Sequence, residues 1–135
     1  MDPDIEQADR TEDEAIEITV PGADRYLEIL RGVVGRAARI CGFTYAGIED
    51  FSLAVDEAAV LLLETRPQQL TLRLQRVVPA GGSLTALLNV AAPRAAWPPE
   101  NLESDLRWQI LTALSEEVWV LDADQRGVGL SQSVR

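Results

Sequence analysis

The chain has 135 residues, 47% of them apolar, and a formal net charge of −10, which fits one domain with a sizeable core. It has no histidine, its 12 basic residues are all arginines, and Cys41 is its only cysteine. That composition excludes an intramolecular disulfide, a zinc site with several Cys or His ligands, a Ser-His-Asp or Cys-His site, a P-loop lysine and a lysine Schiff base. Any catalysis would fall to Asp, Glu, Tyr, Arg or a bound cofactor.

The charge is uneven. Residues 1–17 hold eight acids and one base, Arg10, so the remainder is close to neutral. Residues 1–14 read as an acidic, disordered tail that either solubilises the chain or shields or mimics a basic surface. The N-terminus lacks an apolar signal-peptide core, and no run of 18 apolar residues exists to span a membrane. A cytoplasmic protein is the simple expectation. No basic patch with interleaved aromatics is present, so direct nucleic-acid binding is not expected.

"AIEITV" (15–20) alternates Ile16, Ile18 and Val20 with Glu17 and Thr19, the period of a strand. After the "PG" break, Asp24 is a candidate N-cap for a helix to about Cys41, with Gly42 as its C′ residue. At 100° per residue Tyr26, Ile29, Leu30, Val33, Val34, Ala37, Ile40 and Cys41 share one side. Arg25, Glu28, Gly32, Arg36 and Arg39 share the other. A second helix is predicted from about Tyr45 to Glu64. Ile48, Phe51, Val55, Ala58 and Leu62 form its stripe, and residues 58–63 are apolar all round, which predicts deep burial. Adjacent carboxylates Asp56 and Glu57 stand in it.

Pro67 stops that helix. "LTLRLQRVV" (70–78), the turn "PAGGS" and "LTALLNVAA" (84–92) read as a hairpin. "PRAAWPPENLES" (93–104) has three prolines and reads as a loop. Residues 104–117 predict a third helix, with Ser104 as candidate N-cap and Leu106, Ile110, Ala113 and Leu114 on one face. "VWVLDA" (118–123) and "GVGLSQSV" (127–134) predict a closing hairpin. The order β α α β β α β β gives an α+β domain over residues 15–135, its helices on one face of a mixed, mostly antiparallel sheet.

At this point the pattern resembles the RsbW-like anti-sigma factors, the serine-kinase branch of the GHKL (histidine-kinase-like ATPase) family. The residues that carry it are "GFTYAGIEDFSLAVDEAA" (42–59) and "LTALSEEVWV" (111–120). The pairing of "LAVDE" with "W-x-x-LTAL-x-x-x-V" is similar to the actinobacterial, UsfX-type members. The resemblance implies a Bergerat-type two-layer α/β sandwich and a homodimer. As partners it implies an alternative sigma factor and a STAS-domain anti-sigma antagonist, in the regulation of transcription under stress.

It also implies where a nucleotide site would lie. Glu57 matches the general-base glutamate of the family's N box, but the Mg²⁺-holding asparagine position falls on Leu61, which has no oxygen for a hard cation. The adenine-binding G1 box falls on "VAAPRAA" (90–96), without acid or glycine. The G2 phosphate lid falls on "DLRW" (105–108), where Asp105 would set negative charge beside a triphosphate at a helix N-terminus. Two readings follow. One is a cofactor-free anti-sigma factor that sequesters a sigma factor, with Arg25, Arg36 and Arg39 as the docking face. The other is an ATP- and Mg-dependent protein serine kinase with Glu57 as catalytic base. Trp97, in the proline-flanked loop, either anchors a partner or plugs the vacated pocket; Trp108 and Trp119 read as packing residues.

Overall fold

The structure is a computed structural model that describes residues 14–77, 82–122 and 124–134. The acidic tail, apart from Glu14, and most of the "PAGGS" turn lie outside the described residues. The elements are β1 (Ala15–Pro21), a 3₁₀ turn (Asp24–Tyr26), α1 (Leu27–Ile40), α2 (Tyr45–Leu63), β2 (Gln69–Val77) and β3 (Ser83–Ala91). A second 3₁₀ turn (Leu102–Ser104), α3 (Leu106–Leu114), β4 (Glu117–Leu121) and β5 (Gly127–Ser133) complete the order. This is an α+β domain.

The five strands form one sheet in the order β1-β2-β3-β5-β4. Every pairing is antiparallel, which corrects the expectation of a mixed sheet. The period-2 pattern explains the layering: Leu70, Leu72 and Leu74 of β2, and Leu84, Ala86 and Leu88 of β3, are buried and face the helices. The other face carries matched polar pairs. Glu17 sits opposite Arg73, with an ion pair of 3.6 Å, and Thr19 opposite Thr71, with hydroxyls 2.8 Å apart. On that face Trp119 lies over Gly129, where an added Cβ would come within 2.2 Å of the indole. Trp119 is therefore a packing residue, as is Trp108, which sits against the core.

Helix α2 is the central helix, packed between α1 and α3 and against the sheet. Thr44 caps it, its hydroxyl accepting from the Gly47 amide at 3.2 Å. Of the apolar run 58–63, Ala58, Ala59, Leu61, Leu62 and Leu63 are buried and Val60 is half-buried against the core. Helix α1 ends on Gly42 at φ 95°. The Gly42 amide donates to Arg39 O at 3.0 Å and the Phe43 amide to Ala38 O at 3.1 Å, the double bond of a Schellman motif. Phe43 then turns inward and meets Phe51, ring centroids 5.7 Å apart.

Three local expectations are corrected. Asp24 does not cap α1: it lies inside the 3₁₀ turn, which starts from extended Ala23 with no side-chain cap. Asp105, not Ser104, caps α3 by accepting from the Arg107 amide at 2.8 Å, and the helix ends at Leu114. The inward face of α3 is also rotated. Leu111 is fully buried, with Trp108 and Leu114 beside it, while Leu106 is 69% exposed. Trp108, the largest side chain of α3, packs partly buried against the core, where its ring contributes apolar burial.

Candidate functional site

Two regions answer to the residues singled out from the sequence. The first surrounds Glu57. It sits two-thirds along α2 with its side chain 12% exposed. Arg107, in the first turn of α3, reaches across and donates from Nη1 to Glu57 Oε2 at 2.9 Å. Its Nε lies 3.6 Å from Glu64 Oε1. The hydrogen bond to Glu57 raises the Arg107 pKa further above its ordinary value, with the charges of Glu57, Glu64 and Asp105 adding to it. The other carboxylate, Asp56, faces α1 and accepts from Arg31 Nε at 2.7 Å. The two neighbours are thus spent on opposite sides, each tying α2 to an adjacent helix.

One turn beyond Glu57, Leu61 is 2% exposed and lies in the apolar core. The start of α3 offers little to an anion, because the Asp105 carboxylate already occupies the cap and accepts from the Arg107 amide. The stretch 90–96 is tied down by its own backbone. The Arg94 and Ala95 amides both donate to Thr65 O, at 2.7 and 3.1 Å, and Val90 N donates to Arg126 O at 2.9 Å. Thr65 is buried and bonds back to Leu62 O at 2.6 Å.

Trp97 follows directly. It is 8% exposed, and its Nε1–H donates to Gly127 O at 2.9 Å. It therefore offers no surface to a partner, which corrects the anchor expectation: the indole is a core residue sealing the 92–104 loop onto β5. The peptide bond to Pro98 is cis.

The second region lies along α1. Arg31, Arg36 and Arg39 line one groove of about 870 Å³ with Gly32, Gly35, Ile40, Phe43, Tyr45 and Ile48. Arg36 and Arg39 have no carboxylate partner among the described residues. A Cβ at Gly32 or Gly35 would meet nothing within 4 Å. Two glycines in a helix cost roughly 0.5–1 kcal/mol each relative to alanine, and among the described residues no close neighbour requires their missing side chains. Ile40 and Tyr45, at 79% and 78%, are the most exposed large apolar side chains among the described residues.

Arg25, expected with Arg36 and Arg39, stands apart. It belongs to the 3₁₀ turn and stacks its guanidinium 4.9 Å over Tyr26. Ile29 and Ile40, expected inward, are exposed, and Leu27 and Ala38 take their place in the core. Arg31, Gly35 and Tyr45 were missed from the sequence. Gly35, three residues after Gly32 on an otherwise sound helix, was the available signal.

Among the described residues, no helix is long and apolar enough to cross a membrane, and no cluster of three His, Cys, Asp or Glu side chains could hold a metal. Compared with protein-family models and with curated proteins, the chain matches none.

Proposed function

We propose that this protein is a non-catalytic capture protein of the anti-sigma type, which holds an alternative sigma factor through the α1–α2 groove. One observation carries the reading: a groove with two arginines that have no carboxylate partner among the described residues, two glycines open to close approach and exposed Ile40 and Tyr45 at its rim. Such a surface suits a carboxylate-bearing helix, since guanidinium forks bind carboxylates well and bare helix backbone admits a neighbour closely. The identity of the partner, its release by a STAS-type antagonist competing for the same protein, and a homodimeric state come from the sequence resemblance.

The Glu57 region supports the same reading from the other side. The residues there do not fit a magnesium nucleotide. Glu57 is held by Arg107, Leu61 supplies no oxygen, and the α3 N-terminus carries its own carboxylate. Phosphoryl transfer depends on positioning and charge neutralisation, and these side chains supply neither. The kinase alternative makes a different prediction: Mg-ATP would raise the melting temperature, and Glu57→Gln would abolish transfer to a partner serine. The capture reading is tested by titrating the sigma factor against wild type and against Arg36→Glu/Arg39→Glu. Loss of at least tenfold in affinity, about 1.4 kcal/mol, supports the groove. Unchanged affinity removes it.

A further inference from the structure

The described chain starts beside the arginine groove. Glu14 lines a small apolar cavity of about 440 Å³ with Ala37, Ile40, Cys41, Leu74 and Arg76. Ile40 also lines the arginine groove, so the two depressions share a wall. Glu14 is anchored there, its carbonyl accepting from the Arg76 amide at 3.1 Å and its carboxylate 3.6 Å from the Arg76 guanidinium. The thirteen residues before it carry Asp2, Asp4, Glu6, Asp9, Glu12 and Asp13 against Arg10 alone, a net charge of −5.

We propose that residues 1–13 bind in cis along the α1–α2 groove, their carboxylates on Arg36 and Arg39, so that the chain carries its own acidic occupant. Reach is ample. Thirteen residues extend to about 43 Å at roughly 3.3 Å each, while the stretch of α1 from Arg31 to Ile40 is about 14 Å long at 1.5 Å per residue. Tethering makes the encounter intramolecular, with an effective concentration in the millimolar range, so weak ion pairs suffice to populate it. Charge favours the groove, where two arginines without a carboxylate partner among the described residues sit three positions apart on one helix; Arg25 is stacked on Tyr26, and Arg126 lies just before β5. Arg31, Arg73, Arg76 and Arg107 are already paired with Asp56, Glu17, Glu14 and Glu57. Arg66 and Arg94 line a separate groove with Gly22 and Pro67. That groove lies at the far end of β1, about 23 Å from Glu14 by strand rise, so spanning to it uses about half of the leader's reach, whereas the α1–α2 groove adjoins the cavity that Glu14 lines.

The consequence for function rests on the capture reading. An acidic partner must displace the leader, so the leader lowers apparent affinity by the fraction of time it occupies the groove. The occupancy itself does not depend on what the partner is.

The test compares amide spectra of two ¹⁵N-labelled full chains, wild type and a leader-neutralised variant (Asp2→Asn, Asp4→Asn, Glu6→Gln, Asp9→Asn, Glu12→Gln, Asp13→Asn). None of these positions belongs to the described core. The expected result is a set of shift differences over Arg31–Ile40 and Tyr45–Ile48. They should vanish in about 1 M salt, where the screening length is about 3 Å, and in an Arg36→Glu/Arg39→Glu background. Differences confined to residues 14–17, differences centred on Arg66 and Arg94, or no differences would each overturn the proposal. A sigma factor that binds the groove with equal affinity in both chains would leave the capture reading standing and remove this one.

Discussion

Replacing Trp97 by Phe isolates how the 92–104 loop is held. The substitution keeps an aromatic ring and removes the Nε1–H that donates to Gly127 O at 2.9 Å in a site only 8% exposed. A buried carbonyl left without its donor costs about 1–3 kcal/mol. Two ring carbons are lost as well, worth roughly 0.8 kcal/mol each if counted as buried methylenes. The total is about 3–4 kcal/mol. With a urea m-value of about 2 kcal/mol/M, the unfolding midpoint should fall by about 1.5–2 M. Urea unfolding followed by circular dichroism measures it, with Trp119→Phe as a control, because Trp119 is half-buried and lies over Gly129 on the open face of the sheet. The wild-type Trp97 indole proton should also exchange slowly with solvent. A loss under about 0.5 kcal/mol, well below the cost of an unmade buried hydrogen bond, would mean that the Trp97 bond does not hold the loop, as would an equal loss from Trp119→Phe.

Further outcomes follow from the same geometry. Leu61→Asn, which supplies the side-chain oxygen that position 61 lacks, should cost about 2–4 kcal/mol in urea unfolding, because an amide would be buried among apolar side chains. A double-mutant cycle of Glu57→Gln and Arg107→Ala should return a coupling of about 0.5 kcal/mol, the range of a pair with one partner in solvent. Cys41 is half-buried, and burial pushes its thiol pKa up, with the Glu14 charge adding to the rise and Arg76 opposing it. Alkylation at mildly alkaline pH should therefore be slower in the folded chain than in urea. The folded state then holds the thiol proton more tightly than the unfolded state. Stability should fall as pH rises from the ordinary thiol range through the raised folded value, with that contribution intact below it; urea unfolding across that range, against Cys41→Ala, measures it.

Most of the fold was legible because its signals are local. The period-2 alternation in β2 and β3, the apolar run of α2 and the Gly42 stop of α1 each specify an element without reference to the rest of the chain. What escaped was decided by packing between elements. Helix α3 offers two apolar stripes, and only contact with α2 and the sheet selects Leu111 over Leu106. The α1 face is similar: Ile29 and Ile40 fit a helical wheel drawn inward, yet Leu27, Leu30, Val34, Ala37 and Ala38 are the residues buried in the core, with Val33 packed beside them. The Glu57–Arg107 and Asp56–Arg31 pairs join residues 50 and 25 positions apart, and no short-range pattern encodes them. Trp97 was a surface anchor or a plug on composition alone, and burial decides against the anchor.

The most direct measurement is a pull-down from the native organism with tagged wild type and tagged Arg36→Glu/Arg39→Glu, without added nucleotide, read by mass spectrometry. Wild type should recover a sigma factor, and charge reversal in the groove should lose it. Recovery of a STAS protein or other partners with no sigma factor, or equal recovery of a sigma factor by both chains, would contradict capture of a sigma factor through this groove.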